Sequence, residues 1–375
     1  MIRLSKSCLS KKEVLNVNKV LKKEFLGMGA EVKKFEDELK NFFNRKTLCV
    51  NSGTAALHLA LQACGIKKGH EVLVPAITYL ATFQAITATG ANPVMCDIDL
   101  KDLNISLKSI KKNFSKKTKA IIPVHFMGHP CDLDKIYAFA KEKKIRVIED
   151  SAHAFGSMYK NNKIGSIGDI NCFSFDGIKN ITSGEGGCVV TNDKKIIKKV
   201  SDSRLLGVVG ESKKRYKNGR SWKFEVSDQG WRYHMSDINA AIGRAQLKRF
   251  GEMSKKRKLL CKYYDKKLSK FQNRIKLIRR DFRNEVPHIY CVIVKDLKKR
   301  ELLIKNILKS KIQLGIHYLP GYKLQFFRRN KIFFPNTEKI FDKVITLPLH
   351  PDLNFSKIDY IIKILTSELN KKIYF

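Results

Sequence analysis

Lys179 lies in the segment CFSFDGIKNITSGEGG, residues 172–187, between two apolar runs and just ahead of a glycine-rich turn. Once deprotonated, a lysine amine condenses with an aldehyde to form a Schiff base. Ser174, upstream in the same segment, offers a hydroxyl to a phosphate. Gly184, Gly186 and Gly187 allow the chain to turn tightly against a bound group. In isolation this lysine is one of 74 basic residues, and a solvated side chain is the simpler reading.

Three further segments carry groups that complete a site. NSGTAAL, residues 51–57, follows the apolar run TLCV and opens a helix. Its small residues let backbone amides approach an anion, so Gly53 and Thr54 are candidate phosphate ligands, although Ser-Gly-Thr is also an ordinary helix cap. In VIEDSAH, residues 147–153, Asp150 ends an apolar strand, which is where open α/β sheets place ligands. A carboxylate there can pair with a protonated ring nitrogen and keep a pyridine cationic, or it can simply cap a helix. GWRYHMSDINAAIG, residues 230–243, places His234 on a loop ahead of a helix that Ser236 or Asp237 can cap. Taken singly, that histidine reads as a structural hydrogen-bonder.

The elements that must position these groups follow from hydrophobic period. Ser10 and Glu13 form a capping box that opens a helix to about residue 23. Val32, Phe35, Leu39 and Phe42 recur at helical spacing in a second helix. From Thr47 onward, apolar runs (TLCV, EVLVP, PVMCDID, AIIPVHF, RVIED) alternate with helical stretches at about 54–64, 80–89, 106–114 and 132–144. This βαβα rhythm predicts a mainly parallel sheet covered by helices. CFSF and GCVVTN predict an antiparallel excursion, and a long helix, open to a break, follows from about Met235 to Leu268. Beyond Phe271, the runs HIYCVIV and GIHYL read as strands and ELLIKNILKSK and FSKIDYIIKILTSEL as amphipathic helices. The expected division is a large domain over 1–250 and a small α+β domain over 251–375, with the helix at 10–23 free to pack on the small domain.

Bulk properties narrow the class. The 375 residues are 43% hydrophobic, enough for a substantial core. The segment MIRLSKSCLSKKEV has no apolar stretch of signal-peptide length, and no apolar run could span a bilayer, so a soluble, cytoplasmic chain is expected. The nine cysteines include no Cys-x-x-Cys pair and read as buried free thiols, without a metal site. A net charge of +39 is spread over nearly every helix and loop. It reads as a lysine-rich solvated surface rather than a nucleic-acid patch, yet it favours any anionic substrate.

Together the segments resemble the DegT/StrS-type sugar aminotransferases, which have the pyridoxal phosphate (PLP) fold type I. The resemblance runs through GMGAEVKKFEDEL, NSGTAALHLAL, EVLVPAITYLATFQAI, PVHFMGHPCDLDKI, VIEDSAHAFGSMYKNNKIGSIGD, FSFDGIKNITSGEGG, YHMSDINAAIG, GIHYLP and LPLHPDL. It implies a PLP-dependent aminotransferase in which Lys179 holds the cofactor as a Schiff base and later shuttles a proton. By the same resemblance Asp150 pairs with the pyridine nitrogen, and His153 takes a position, often glutamine, near the cofactor's 3-hydroxyl. Ser174, Gly53 and Thr54 match phosphate ligands, and Tyr79 matches the aromatic that stacks on the ring. His234 matches a position, often asparagine, that reaches the phosphate from the partner subunit of a homodimer. His317, Tyr318 and Tyr322 fall in a region linked to substrate, where Tyr322 stands in place of a common histidine. The implied reaction moves an amino group, with glutamate the expected donor, to a nucleoside-diphosphate-linked keto sugar. The expected position is C4 of a 4-keto-6-deoxyhexose, for O-antigen or other surface glycans. C3 amination, a cyclitol substrate, and a non-catalytic regulator or nucleic-acid binder of the same fold are the alternatives. Lys179 itself speaks against a sugar dehydratase, whose relatives carry histidine at that position.

Overall fold

The computed structural model describes residues 1–220, 222–328 and 333–375. Ser10 caps helix α1 (Lys11–Leu21) through the expected reciprocal box with Glu13. Helix α2 (Ala30–Phe43) buries Val32, Phe35, Leu39 and Phe43 on one stripe. The alternating region then runs β1 (Thr47–Val50), α3 (Gly53–Ala63), β2 (Glu71–Pro75), α4 (Leu80–Ala88) and β3 (Asn92–Cys96). It continues with α5 (Leu107–Asn113), β4 (Thr118–Ile121), α6 (Leu133–Lys143) and β5 (Arg146–Asp150). A short hairpin, β6 (Met158–Tyr159) and β7 (Asn162–Lys163), precedes β8 (Ile170–Ser174) and β9 (Gly187–Val190). Helices α7 (Lys194–Ser203), α8 (Glu211–Arg215) and α9 (Asp237–Leu268) follow.

Seven strands form one sheet in the order β1-β9-β8-β5-β4-β2-β3. Strand β9 pairs antiparallel with both β1 and β8, and the remaining pairings are parallel. The period-two alternation of side chains divides the core into two layers. Val72, Val74, Ile148, Cys172 and Val189 pack on one face with α3, whereas Leu73, Val147, Phe173 and Cys188 pack on the other with α2 and α6. Helix α3 is buried nearly all round, which its run of Ala and Leu permits.

Strands β10 (Ile275–Leu277), β11 (Tyr290–Val294) and β12 (Val344–Leu347) form a second, antiparallel sheet. It is covered by α10 (Arg300–Lys309) and α12 (Phe355–Leu369), while α11 (Pro335–Ile340) leads into β12. Leu260, Tyr264 and Leu268 of α9 belong to this core. Helix α9 is continuous over 32 residues, so it passes through position 250 unbroken and serves both units. Ile77, Ile98 and Phe126 of the large unit meet Ile289, Cys291 and Ile293 of the small one in a shared apolar seam.

Two local expectations change. GIHYL does not form a strand: Gly315 makes an isolated bridge to Thr346, His317 stays on Thr346 through its side chain, and Tyr318 reaches His153 and Tyr79 of the large unit. Helix α1 packs on the first half of α9, where Asn16 Nδ2 donates to the Ala241 carbonyl at 3.2 Å. The residues before it reach the small unit instead, with Ile2 bridging Ile312 and the Leu349 amide donating to Leu4. Ser236 caps α9, whereas Asp237 caps α2 from across the fold by accepting the amides of Gly29, Glu31 and Val32. All nine cysteines are free, and each is buried except the half-buried Cys64.

Candidate active site

The carboxyl ends of β5 and β8 and the first turn of α3 converge on a cavity of about 360 Å³. Ser174, the last residue of β8, lies against Gly53, the first of α3. A Cβ on Gly53 would sit 2.8 Å from Ser174 Cβ, so glycine is what lets the helix start meet the strand end. Ser52 caps α3 through the Ala55 amide at 3.1 Å. Gly53, Thr54 and Ser174 therefore present a cradle of small groups at a helix N-terminus, suited to an anion.

Asp150 stands buried at the end of β5, where Thr82 Oγ1 donates to Oδ2 at 2.8 Å and the Ala152 amide to Oδ1 at 3.2 Å. Burial raises its pKa, while Thr82, the Ala152 amide and the charge of Lys179 pull it down. The strand end is fixed by the preceding residue: buried Glu149 accepts from Tyr137 at 2.6 Å and pairs with His125 at 2.8 Å. Lys179 follows a turn in which its amide donates to the Asp176 carbonyl and the Ile178 amide to the Asp176 carboxylate. Burial lowers the Lys179 pKa, against the opposing pull of Asp150 and Asp176. Desolvation makes this amine readier to lose its proton, and the two carboxylates limit the effect.

The opposite wall is aromatic. His153 Nε2 and the Tyr318 hydroxyl are 3.0 Å apart, and the His153 ring lies 4.4 Å from that of His288. Tyr79, 58% exposed at the start of α4, stands 5.6 Å from Tyr318, ring to ring. His317 Nδ1 pairs with Thr346 Oγ1 at 2.8 Å, and burial with the nearby Lys179 lowers its pKa to about 4. Of the residues singled out from sequence, Gly53, Thr54, Tyr79, Asp150, His153, Ser174, Lys179, His317 and Tyr318 line this one cavity. Two do not. Tyr322 is buried in the core beside Phe334, 5.1 Å ring to ring, away from the cavity lining. His234 bridges Val50 outside the cavity of its own chain, and burial with Arg232 and Arg215 nearby lowers its pKa to about 4.

Sequence reasoning missed His288, Asp176, Glu185 and Thr82. Asp176 and Glu185 flank Lys179 within the segment already singled out, so proximity to the lysine was a usable signal. His288 had none, being a histidine beside a proline ahead of a strand.

The donor set fits PLP: a half-buried, desolvated amine for the aldehyde, a buried carboxylate for the ring nitrogen, and a glycine-permitted cradle at a helix start for the phosphate. Such a site at the carboxyl ends of a mainly parallel sheet defines a PLP-dependent enzyme of fold type I. Residues 7–366 match the DegT/DnrJ/EryC1/StrS aminotransferase family, and the chain belongs to it. It is a PLP-dependent sugar aminotransferase, as the relatives indicate. It is 34% identical over 366 residues to the spore coat polysaccharide biosynthesis protein SpsC of Bacillus subtilis, covering 95% of this chain and 94% of the relative. It is likewise 34% identical over 359 residues to GDP-perosamine synthase of Escherichia coli O157:H7, covering 94% of each. The putative sugar aminotransferase Spr1654 of Streptococcus pneumoniae, solved in its PMP form, superposes with a TM-score of 0.92 at 30% identity, covering 99% of both chains. The same protein is known in its PLP form. Among the described residues no helix is long and apolar enough to cross a membrane, and no cluster of His, Cys, Asp and Glu could hold a metal ion.

Proposed function

We propose that this enzyme transfers an amino group from glutamate to the keto carbon of a nucleoside-diphosphate-linked sugar, C4 of a 4-keto-6-deoxyhexose being the position favoured. The observation that carries the reading is Lys179, half-buried in the same cavity as Asp150 and the Gly53–Ser174 cradle, with its amine desolvated. Bound there, PLP supplies an electron sink for the charge that develops when a C–H bond next to nitrogen is broken. Asp150 holds the proton on the ring nitrogen. Gly53, Thr54 and Ser174 hold the phosphate, and Tyr79 covers the ring face. Lys179 Nζ takes the proton from the donor's α-carbon and, in the return half, delivers one to the sugar carbon. His317, kept neutral by burial, faces the incoming substrate.

GDP-perosamine synthase is named for a nucleoside-diphosphate sugar and SpsC for a surface polysaccharide, which supports a role in surface glycan synthesis. The reading includes a cytoplasmic homodimer in which His234 serves the partner's site. Its support is the position of His234 outside its own cavity and the exposure of Trp222, Phe224 and Val226 on the preceding loop.

The test is to add PLP to the purified protein and then screen keto-sugar nucleotides with glutamate, reading product mass and amino position. Lys179→Ala abolishes both the visible band of lysine-bound cofactor and turnover; transamination that survives this change refutes the assignment. Mixing inactive Lys179→Ala and His234→Ala subunits restores part of the activity if sites are shared, and none if each chain works alone.

A further inference from the structure

The wall facing the phosphate cradle contains a hydrogen-bond arrangement that fixes the proton on one particular nitrogen. In PLP the aldehyde carbon lies across the ring from the nitrogen, flanked by the phosphate arm on one side and the phenolic oxygen on the other. With Lys179 at the aldehyde, Asp150 at the nitrogen and the Gly53–Ser174 cradle at the phosphate arm, the phenolic oxygen is left to face the wall of His153, His288 and Tyr318.

The donors and acceptors of the protein on that wall favour one arrangement. Tyr318 is half-buried in the cavity wall, and its phenol keeps its proton because desolvation raises its pKa. That O–H needs an acceptor, and among the described residues the acceptor within reach is His153 Nε2 at 3.0 Å. His153 is buried, and burial with the charge of Lys179 and the nearby His317 keeps the ring neutral. A neutral imidazole that accepts at Nε2 carries its hydrogen on Nδ1. His153 Nδ1 is buried and has no hydrogen-bond partner among the described residues. The other tautomer would strand the Tyr318 hydrogen and turn a lone pair toward the phenolic oxygen. His288 fixes the ring plane from behind, 4.4 Å away and inclined at 44°. It is itself anchored where its amide donates to the Met127 carbonyl at 3.1 Å and where Arg257 donates to its own carbonyl at 3.0 Å.

We infer that Tyr318 is a positioning residue: by donating to His153 Nε2 it holds His153 in the Nδ1–H tautomer, which donates to the phenolic oxygen of PLP. This assigns Tyr318 a role other than the substrate contact expected from sequence, and it rests on the cofactor orientation proposed above.

A donor at the phenolic oxygen competes for the electrons that would otherwise hold the proton on the cofactor–lysine nitrogen. Its loss therefore raises the pH midpoint of the visible band. In Tyr318→Phe, which should still bind PLP, the midpoint rises by about one unit, the scale of one hydrogen bond. In a His153→Gln background, whose amide donates whatever Tyr318 does, adding Tyr318→Phe gives no further shift. An unchanged midpoint in Tyr318→Phe, or an equal shift in both backgrounds, overturns the proposal. Nitrogen-15 shifts of the imidazoles in the unaltered protein, with His153 assigned by its loss in His153→Gln, report the tautomer directly. Nδ1–H supports the proposal and Nε2–H overturns it. Failure of the unaltered protein to bind PLP at all would instead remove the reading on which it rests.

Discussion

Gly53→Ala tests whether the contact between α3 and β8 shapes the cofactor cradle. The added Cβ would sit 2.8 Å from Ser174 Cβ, 3.2 Å from its Oγ and 3.3 Å from its Cα. A rotamer change at Ser174 relieves only the contact with Oγ, because Cα and Cβ are fixed by the strand. The helix start must therefore move off the strand end by about 0.6 Å to restore ordinary contact, and that gap lies inside the phosphate cradle. Overpacking of this kind costs about 1–3 kcal/mol. If the strain falls on the bound state, PLP affinity drops roughly 5- to 150-fold. If it falls on the fold, the urea midpoint of the cofactor-free protein drops instead. Titrating PLP by its visible absorbance, alongside urea unfolding of the apo form, measures both. Gly251→Ala is the control, since a Cβ there meets nothing within 4 Å. On the exposed side of α9 it should raise stability by roughly 0.5–1 kcal/mol and leave PLP affinity unchanged. A Gly53→Ala protein as stable as the parent and binding PLP equally well would refute the packing argument.

Other expectations rest on single side chains. Arg204 is fully buried and donates to Glu36 at 2.5 Å, the Cys49 carbonyl at 2.6 Å and Tyr216 at 2.6 Å. Arg204→Met leaves Glu36 buried without its cation and should cost about 3–5 kcal/mol in urea unfolding; adding Glu36→Gln should recover much of that. Glu13 is pushed up by burial, but its hydrogen bonds to Ser10 and Arg249 outweigh this and lower its pKa to about 2 from 4.5. Its contribution is present above pH 4.5 and is lost as pH falls through about 2. Glu13→Gln should therefore destabilise by about 1–2 kcal/mol at neutral pH, with the gap closing as pH drops; a gap independent of pH would contradict this.

The parts of the site that announce themselves in sequence are those tied to strand ends and glycine turns. Asp150, Ser174 and Lys179 each follow an apolar run, and Gly53 opens the helix after one, so the alternation that locates the strands also locates the cavity. Groups brought in by long-range packing leave no such trace. His288 reaches the site only because the small unit docks on Ile77 and Phe126 through Ile289 and Cys291. Ser236 or Asp237 could cap α9 by sequence; Ser236 does, while the Asp237 carboxylate accepts the Gly29 amide at the start of α2, 208 residues away. Tyr322 stood at a position linked to substrate, but its ring is placed by Phe334, whose burial no periodicity reveals. GIHYL has the composition of a strand and lacks a partner along most of its length, since Gly315 alone bridges Thr346.

The charge of the chain can be weighed against the charge of the cavity. The sequence carries +39, yet the described residues lining the cavity include Asp150, Asp176 and Glu185, a single lysine and no arginine. A sugar nucleotide would bring two phosphate charges to a pocket that offers them little local pairing. The attraction must then come from the summed field of the surface, or from the neighbouring subunit. A field effect decays over a screening length of about 10 Å at 0.1 M salt and about 3 Å at 1 M. Raising salt over that range should therefore lower kcat/KM for the sugar nucleotide and leave kcat nearly unchanged, because steering acts on encounter rather than on proton transfer at Lys179. Glutamate, a smaller anion, should show a shallower dependence in the other half-reaction. Steady-state kinetics with each substrate varied at several salt concentrations separates the two. A kcat/KM for the sugar nucleotide that is flat with salt would mean that the lysine-rich surface does not act on the substrate at all.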